Sequence, residues 1–170
     1  MVEIRKARPD ELEEICALVR RAVVRMNALG NPQWGQDYPT QDHYRADAER
    51  GELYAALSGP RIAGVACINT HQAPEYAGVP WTTASPAVVI HRMAVDPCMQ
   101  RQGVGRSLFR FAEALARRQG VQAMRIDTYS LNAGMQALIL SQGFVWAGEV
   151  HLRRELPYPC FEKQIAQQVS

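Results

Sequence analysis

The spacing of apolar residues changes from one segment of the chain to the next, and it predicts where helices and strands lie. Between residues 12 and 26 apolar side chains recur at intervals of three and four, which is helical periodicity. Pro9 favours the start of this helix and Gly30 its end. Val2 and Ile4 alternate with polar residues, so they predict a short strand before it.

The next segment predicts a second helix and a pair of strands. Thr40 can cap a short helix that ends at Gly51. Residues 52–57 and 61–69 have the composition of strands, and the turn residues between them favour a hairpin. Residues 70–86 contain three prolines and a glycine, which indicates a long loop of the kind that is functional or mobile.

The second half of the chain alternates between strand and helix patterns. The expected elements are a strand over 87–95, a helix that follows Gly103 and Gly105 and closes at Gly120, a strand over 121–129, a helix from Asn132 to about Ser141, and strands near 144–150 and 158–165. The order β-α-α-β-β-β-α-β-α-β-β predicts an α/β (α+β) protein. It has a mixed sheet of about seven strands flanked by about four helices, in a single domain over residues 1–170.

Composition and charge narrow the function classes. The apolar fraction of 47% and charged fraction of 21% are those of a globular domain. A net charge of +2 with interspersed signs gives no electrostatic reason to expect nucleic acid or a membrane surface as a partner. The charged N-terminus lacks the apolar segment of a signal peptide, and no apolar run approaches roughly 20 residues. We therefore expect a cytoplasmic protein.

The cysteines and histidines have no metal-ligand spacing, so no metal is expected. Cys16 falls on the apolar side of the first helix, where a core position is expected, whereas Cys98 lies in a turn. The other cysteines are Cys67 and Cys160, and the histidines are His43, His71, His91 and His151.

The segment from Val95 to Leu108 has the pattern of an anion site. A strand ends, a loop follows, and Gly103 and Gly105 stand at the entrance to a helix. The first turn of a helix offers N–H groups without internal partners, and glycine removes the Cβ that would keep a phosphate away. A Walker loop needs Gly-Lys-Ser/Thr and a Rossmann fingerprint needs a third glycine where Leu108 stands, so both fit poorly. A glycine turn that merely starts a helix remains an alternative.

Three blocks of sequence resemble the GNAT acetyltransferases, in particular a bacterial subgroup of them. Gln100-x-x-Gly103-x-Gly105 matches the family's Gln/Arg-x-x-Gly-x-Gly/Ala signature. The strand over 90–97 resembles the family's strand before that loop, and Asn132 with the segment 137–144 resembles its next helix and strand.

The resemblance implies a mixed sheet that splays between its fourth and fifth strands and binds acyl-CoA, here acetyl-CoA, in the gap. It assigns the pantetheine arm to the backbone of the fourth strand, the pyrophosphate to the glycine loop, and a further contact to Asn132. The residues that it gives to the cofactor are Met93, Ala94, Val95, Gln100, Arg101, Gln102, Gly103, Val104, Gly105, Arg106, Ser107 and Asn132.

Acyl transfer to an amine needs a base, a donor to the developing oxyanion and an acid for the thiolate. His91 is the expected base, with a packed histidine as the alternative, and Glu149 and Glu155 are weaker candidates. The resemblance gives the oxyanion to the Met93 N–H. The family's tyrosine acid is replaced by Ile139, so Tyr129 is the candidate acid, or else a tyrosine packed on the sheet with its hydroxyl in water.

The acceptor is expected to be a primary amine of a small molecule or peptide. Trp34, Tyr38 and Trp81 lie where the family builds its substrate wall, and they either bind an amine by cation–π contact or cap the core. A homodimer is possible. Two other functions stay open. One is an acyl-CoA sensor or assembly domain without efficient catalysis. The other is a dinucleotide oxidoreductase, although this chain lacks the third glycine of that fingerprint.

Overall fold

The computed structural model describes residues 1–167 of the 170-residue chain. The helices among them are α1 (Leu12–Ala28), α2 (Gln41–Glu49), α3 (Val104–Arg118) and α4 (Ala133–Ser141). The strands are β1 (Val2–Lys6), β2 (Leu53–Ser58), β3 (Arg61–Asn69), β4 (Val88–Val95), β5 (Ala123–Asp127), β6 (Val145–Val150) and β7 (Tyr158–Gln164). Short 3-10 turns occur at Pro9–Glu11, Pro74–Gly78 and Pro97–Met99.

The strands form one seven-stranded mixed sheet in the order β1-β2-β3-β4-β5-β7-β6. Strands β4 and β5 run parallel and pair at two positions, Val88 with Met124 and Val89 with Arg125. The pairs β1/β2, β2/β3, β5/β7 and β6/β7 are antiparallel. The predicted fold class, a mixed sheet of about seven strands with about four helices, is confirmed.

The chain divides into two compact units. Unit 1 comprises Met1–Ile68 with His91–Phe109, and unit 2 comprises Asn69–Ile90 with the residues from Arg110 onwards. Each unit has a core of its own. The single domain expected over residues 1–170 stays a prediction.

Local caps begin two helices where the sequence places them. The Thr40 N–H donates to His43 Nδ1 over 2.8 Å at the start of α2. The Asn132 side chain accepts the Met135 N–H over 3.1 Å at the start of α4. Both contacts use amide groups in the first turn of a helix, which has no internal partner for them.

The core of unit 1 packs α1 against strands of the sheet. Ile15, Leu18 and Val19 are fully or almost fully buried, together with Leu53 and Val65. The helical spacing from Leu12 onwards predicts this face of α1 except for Leu18. A helix in a large core buries a wider stripe than the strict three-four pattern, so the additional position is consistent with close packing.

The core of unit 2 is aromatic. Tyr76, Tyr129 and Tyr158 are at most 3% exposed and cluster with Val89 and Cys160. The Tyr129 and Tyr158 rings lie 4.9 Å apart at an interplanar angle of 54°. Such tilted pairs are a favourable arrangement of aromatic rings.

Two expectations about local structure need correction. The segment 70–86 is not all loop, because Pro74–Gly78 forms a 3-10 turn that buries Tyr76. The strand predicted over 121–129 is shorter. At its start, the Val121 N–H donates to Ala116 O at the end of α3 instead of to a neighbouring strand. At its end, the Thr128 N–H donates to the carbonyl of Pro159, and proline has no N–H to donate in return. The observed ends of the other strands lie within one residue of the predicted ends.

Within the described residues 1–167, no helix has the length and apolar character needed to cross a membrane.

Candidate functional site

The glycine loop of unit 1 is anchored at its start by a buried carboxylate. Asp96 is fully buried and accepts bonds from Arg21 over 2.8 Å and Arg61 over 3.0 Å. Its other oxygen accepts the Cys98 N–H over 3.0 Å. Burial alone would raise the pKa of Asp96, but these arginines and the amide outweigh it and lower the pKa. The ionised carboxylate therefore fixes the exit of β4.

The loop itself turns through two residues with positive φ. Arg101 has a φ of 64° and Gly103 a φ of 80°. Helix α3 then begins at Val104, and the backbone N–H and hydroxyl of Ser107 both bond to Gly103 O, over 2.9 and 2.8 Å. Val104 is buried, which seats the first turn of the helix on the core. The local sequence thus produces a fixed helix N-terminus behind an exposed turn.

The geometry of this turn fits a phosphate group. Apart from Gly103 and its two chain neighbours, no residue has an atom within 4 Å of the position that a Cβ would take at Gly103, so the turn has open space in front of its backbone. A helix N-terminus carries roughly half a positive charge and presents unpaired N–H groups. Arg101 and Arg106 are exposed on either side of the glycine. The residues present can therefore hold the pyrophosphate of acetyl-CoA.

Gly64 on β3 allows the strand and helix of this site to approach closely. A Cβ on Gly64 would lie 2.9 Å from Val104 Cγ1 and 3.0 Å from Ala94 O. Any larger residue would push α3 or β4 away. Sequence reasoning did not predict this role, because a glycine within a strand has several explanations.

Strand β4 places the predicted cofactor and catalytic residues of unit 1. Met93 and Ala94 are buried, Val95 is half-buried, and His91 is half-buried as well. Arg92 has a φ of 47°, which interrupts the regular strand between His91 and Met93.

Two predicted acceptor residues of unit 1 lie in the segment between α1 and α2. Trp34 is 6% exposed and belongs to the core, and its carbonyl accepts the Asn27 side chain over 3.0 Å. Tyr38 is half-buried, and its hydroxyl accepts a bond from Arg92 over 3.2 Å. Trp34 therefore has a packing role in the structure, and the acceptor role of both residues stays a prediction.

Unit 2 contains a carboxylate–tyrosine pair that was not predicted as a site. Asp127 lies half-buried at the end of β5, and the Tyr76 hydroxyl donates to its Oδ2 over 2.5 Å. Burial raises the pKa of Asp127, and the bond from Tyr76 offsets this only in part. A sequence cannot show the pair, because its members are 51 residues apart and Tyr76 belongs to a segment expected to be loop.

The candidate acid Tyr129 is also in unit 2 and is almost fully buried. Its hydroxyl accepts the Leu156 N–H over 3.1 Å, so it is not in water as the alternative interpretation supposed. A phenol that accepts one bond can still donate its own proton. Ile139, which replaces the family's tyrosine, is fully buried in α4.

The remaining predicted residues of unit 2 have structural partners. The Trp81 indole N–H donates to Tyr76 O over 2.9 Å, and the Arg125 guanidinium lies 4.4 Å from the centre of the Trp81 ring. Trp81 thus already carries a cation–π contact inside the protein. Asn132 caps α4 as described above, and its contact with the cofactor stays a prediction.

Comparison with known proteins identifies the family. Residues 20–144 match the model of the acetyltransferase (GNAT) family. No curated protein sequence matches the chain significantly.

Solved structures share the fold at low sequence identity. A GNAT-family acetyltransferase from Streptococcus agalactiae has a TM-score of 0.86 at 21% identity, with 98% of this chain and 96% of that one covered. The acetyltransferase-like yncA of Salmonella typhimurium, solved with its cofactor acetyl-CoA, has a TM-score of 0.70 at 20% identity over 99% and 96% of the two chains. The ribosomal-protein-S18-alanine N-acetyltransferase of Escherichia coli has a TM-score of 0.69 at 19% identity over 99% and 97%. Since the family model covers residues 20–144, most of the chain, this protein belongs to the GNAT family of acetyltransferases.

Proposed function

We propose that the protein is an N-acetyltransferase that moves an acetyl group from acetyl-CoA to a primary amine of a small molecule or peptide, by direct transfer in a ternary complex. The observation that carries the proposal is the open turn at Gly103, at the N-terminus of the 15-residue helix α3. Gly103 has a positive φ, and beyond its chain neighbours no residue has an atom within 4 Å of its Cβ position. A relative of the same fold was solved with acetyl-CoA, and another acts on the alanine of a ribosomal protein.

The residues that would hold acetyl-CoA are those of the loop and of β4. Backbone N–H groups from Gln102 to Arg106 and the α3 dipole would bind the pyrophosphate, with Arg101 and Arg106 adding charge. The Ser107 N–H, which was predicted to join them, already donates to Gly103 O. The backbone of β4 from Met93 to Val95 would pair with the pantetheine arm. When bound, acetyl-CoA supplies an acetyl group activated as a thioester.

The amine must be neutral before it can react. An alkylammonium has a pKa near 10, so a base has to accept its proton. The amine nitrogen forms the new C–N bond as the C–S bond breaks, and the departing thiolate takes up a proton. Holding the amine in position accounts for much of the rate in reactions of this type.

Asp127 competes with His91 for the role of base. Support for Asp127 is its half-burial, its raised pKa and the Tyr76 hydroxyl that orients it. A raised pKa makes a carboxylate a stronger base and lets it take a proton near neutral pH. Support for His91 is its place on β4, two residues before Met93, and its imidazole, which can accept a proton.

The test is acetyl-CoA turnover, followed as free-thiol release, with tyramine, L-lysine methyl ester and an alanine-initiated hexapeptide as acceptors. The proposal expects release that depends on the amine, and a product heavier by one acetyl group. If Asp127 is the base, Asp127→Asn should lower kcat by about 10²–10⁴ and remove the acidic limb of the kcat/KM profile. His91→Ala should then keep that limb.

The opposite pattern would assign the base to His91. Because the pKa of Asp127 is raised, its limb should lie above the ordinary aspartate value, with activity rising as pH increases through it. If the wild-type protein binds acetyl-CoA but releases no free thiol in response to any of the amines, the proposed catalysis is wrong.

A second function is supported by one observation. Ile139 is fully buried and apolar at the position where the family's acid is expected, so the protein could bind acetyl-CoA as a sensor or assembly domain. Binding of acetyl-CoA without turnover of any acceptor in the panel would favour this function.

A further inference from the structure

Helix α2 holds the peptide between Arg92 and Met93 in place through contacts with both the side chain and the backbone carbonyl of Arg92. Arg92 has a φ of 47° within β4, a conformation that non-glycine residues seldom adopt and that persists only when the surroundings impose it. A kink of this kind in a strand changes the direction of the next peptide group. The contacts that impose it come from α2.

The side chain of Arg92 is fixed by a buried ion pair. Its Nε lies 2.7 Å from Asp47 Oδ2 and its Nη2 lies 2.7 Å from Asp47 Oδ1. Asp47 is fully buried, and the Arg92 side chain is 16% exposed. A two-bond contact between guanidinium and carboxylate fixes orientation as well as distance. Arg50 adds a bond to Asp47 Oδ1 over 3.1 Å.

The backbone carbonyl of Arg92 is fixed by Tyr44. The Tyr44 hydroxyl donates to Arg92 O over 3.3 Å, and the residue is 1% exposed. Burial raises the pKa of Tyr44, so the phenol stays protonated and able to donate. Tyr44 and Asp47 are three residues apart on α2 and therefore share one face of the helix.

These contacts set the direction of one N–H group. In a trans peptide the carbonyl and the following N–H point in opposite directions. A carbonyl of Arg92 that is directed at Tyr44 therefore directs the Met93 N–H away from α2. The resemblance to the GNAT acetyltransferases gives this N–H the task of donating to the oxygen that gains charge during acetyl transfer, and such donors act by being fixed in advance.

We propose that Asp47, Arg92 and Tyr44 are positioning residues that hold the kinked Arg92–Met93 peptide so that the Met93 N–H can act as the oxyanion donor. The inference rests on the proposed function. None of the three residues needs to touch a substrate for this. Their effect is on kcat, because a donor that is aimed wrongly weakens stabilisation of the transition state and leaves ground-state binding of acetyl-CoA intact.

Glycine and alanine at position 92 separate positioning from simple support. Both substitutions remove the ion pair with Asp47, but only glycine adopts a φ near 47° without strain. We expect Arg92→Ala to lower kcat at least tenfold, and Arg92→Gly to recover part of that loss with a similar Kd for acetyl-CoA. An ion pair that only supports the fold predicts a difference in stability between the two variants but the same kcat for the folded protein, because glycine relieves the strain at this φ in either case. A kcat for Arg92→Gly at or below that of Arg92→Ala would overturn the proposal.

Tyr44→Phe changes a single oxygen atom and should keep the fold. It should lower kcat about fivefold to tenfold and leave KM for acetyl-CoA within twofold, measured with the fastest amine of the panel above. Tyr158→Phe is the matched control, because Tyr158 is fully buried and its hydroxyl has no partner among the described residues. A fall in thermal stability alone, with unchanged kcat, would overturn the role of Tyr44.

A readout without turnover separates this inference from the proposed function. The chain has six methionines, so a sample labelled with ¹⁵N-methionine gives few amide signals, and Met93→Leu identifies the one from Met93. Tyr44→Phe should shift that signal, and Tyr158→Phe should not. If the wild type acetylates no amine, the proposed function fails and this shift decides the positioning by itself. An unmoved Met93 signal in Tyr44→Phe would overturn the positioning even in an active enzyme.

Discussion

At the scale of single residues, the conformation of the glycine loop depends on the backbone of Gly103. Its φ of 80° would strain any other residue, while the space in front of it is open. Gly120, at the end of α3, has the same two properties with a φ of 68°. The pair therefore separates backbone strain from contact with the cofactor.

Gly103→Ala and Gly120→Ala should each destabilise the fold by about 1 kcal/mol, because alanine fits a positive φ poorly. Only Gly103→Ala should also weaken acetyl-CoA binding, since its Cβ lies in front of the loop amides. Gly103→Asp should weaken it further by adding a negative charge beside the phosphates. Calorimetric titration with acetyl-CoA checks this, and equal affinity of Gly103→Asp and wild type would remove the phosphate assignment.

Tyr129 is a second residue whose role depends on a single hydroxyl. Tyr129→Phe should lower the free energy of unfolding by about 0.5–1.5 kcal/mol, because the Leu156 N–H loses its acceptor. If Tyr129 is also the acid, kcat measured on the folded protein should fall at least tenfold. Tyr158→Phe serves as the control for loss of a buried hydroxyl.

The reciprocal substitution, Ile139→Tyr, should restore rate only at a cost in stability. Ile139 is fully buried, and a larger side chain there should cost about 1–3 kcal/mol. A silent Tyr129→Phe together with a faster Ile139→Tyr would show that the wild-type protein has no dedicated acid.

At the scale of elements, β7 is joined to the segment before β4 by one carboxylate. Glu162 on β7 is 2% exposed and accepts bonds of 2.5–3.1 Å from the N–H and hydroxyl groups of Thr82 and Thr83. Burial would raise the pKa of Glu162, but the bonds from Thr82 and Thr83 outweigh it and lower the pKa to about 2. The ionised form is therefore favoured in the folded protein.

The contact of Glu162 with Thr82 and Thr83 predicts how the stability of the protein depends on pH. The stabilisation is present above pH 4.5, the ordinary value of glutamate, and is lost as pH falls towards about 2. It amounts to at most about 3 kcal/mol. Glu162→Gln should be less stable than wild type at pH 7, and the difference should narrow below pH 4.5. Glu149→Gln, at an exposed position on β6, should stay within about 0.5 kcal/mol of wild type in urea titrations at each pH.

At the scale of the whole molecule, a ligand that binds only the folded protein stabilises it by mass action. Acetyl-CoA at 100 times its Kd should add about 2.7 kcal/mol. For a chain of this size the corresponding rise in Tm is roughly 5–10 °C. Scanning calorimetry measures it, with NAD at the same concentration as the control that should leave Tm unchanged. A rise with NAD and none with acetyl-CoA would favour the dinucleotide alternative.

Local chemistry explains which features could be predicted. The caps Thr40 and Asn132 and the loop from Gln100 to Gly105 depend on neighbouring residues and on glycine's access to positive φ. The number of helices and strands follows from periodicity in the same way. The positions of these features were therefore determined by the sequence itself, and the loop led to the correct family.

Packing in three dimensions brings together polar side chains that lie far apart in the sequence. Asp96 and Arg21 are 75 residues apart, Arg92 and Asp47 are 45, and Glu162 and Thr82 are 80. In the sequence each is an ordinary charged or hydroxyl residue, because its chemistry becomes special only when burial removes water and brings a partner within hydrogen-bond distance. The sequence alone shows where the glycine loop lies, whereas the packing of distant segments determines which carboxylates, arginines and tyrosines hold that loop and the strand before it in place.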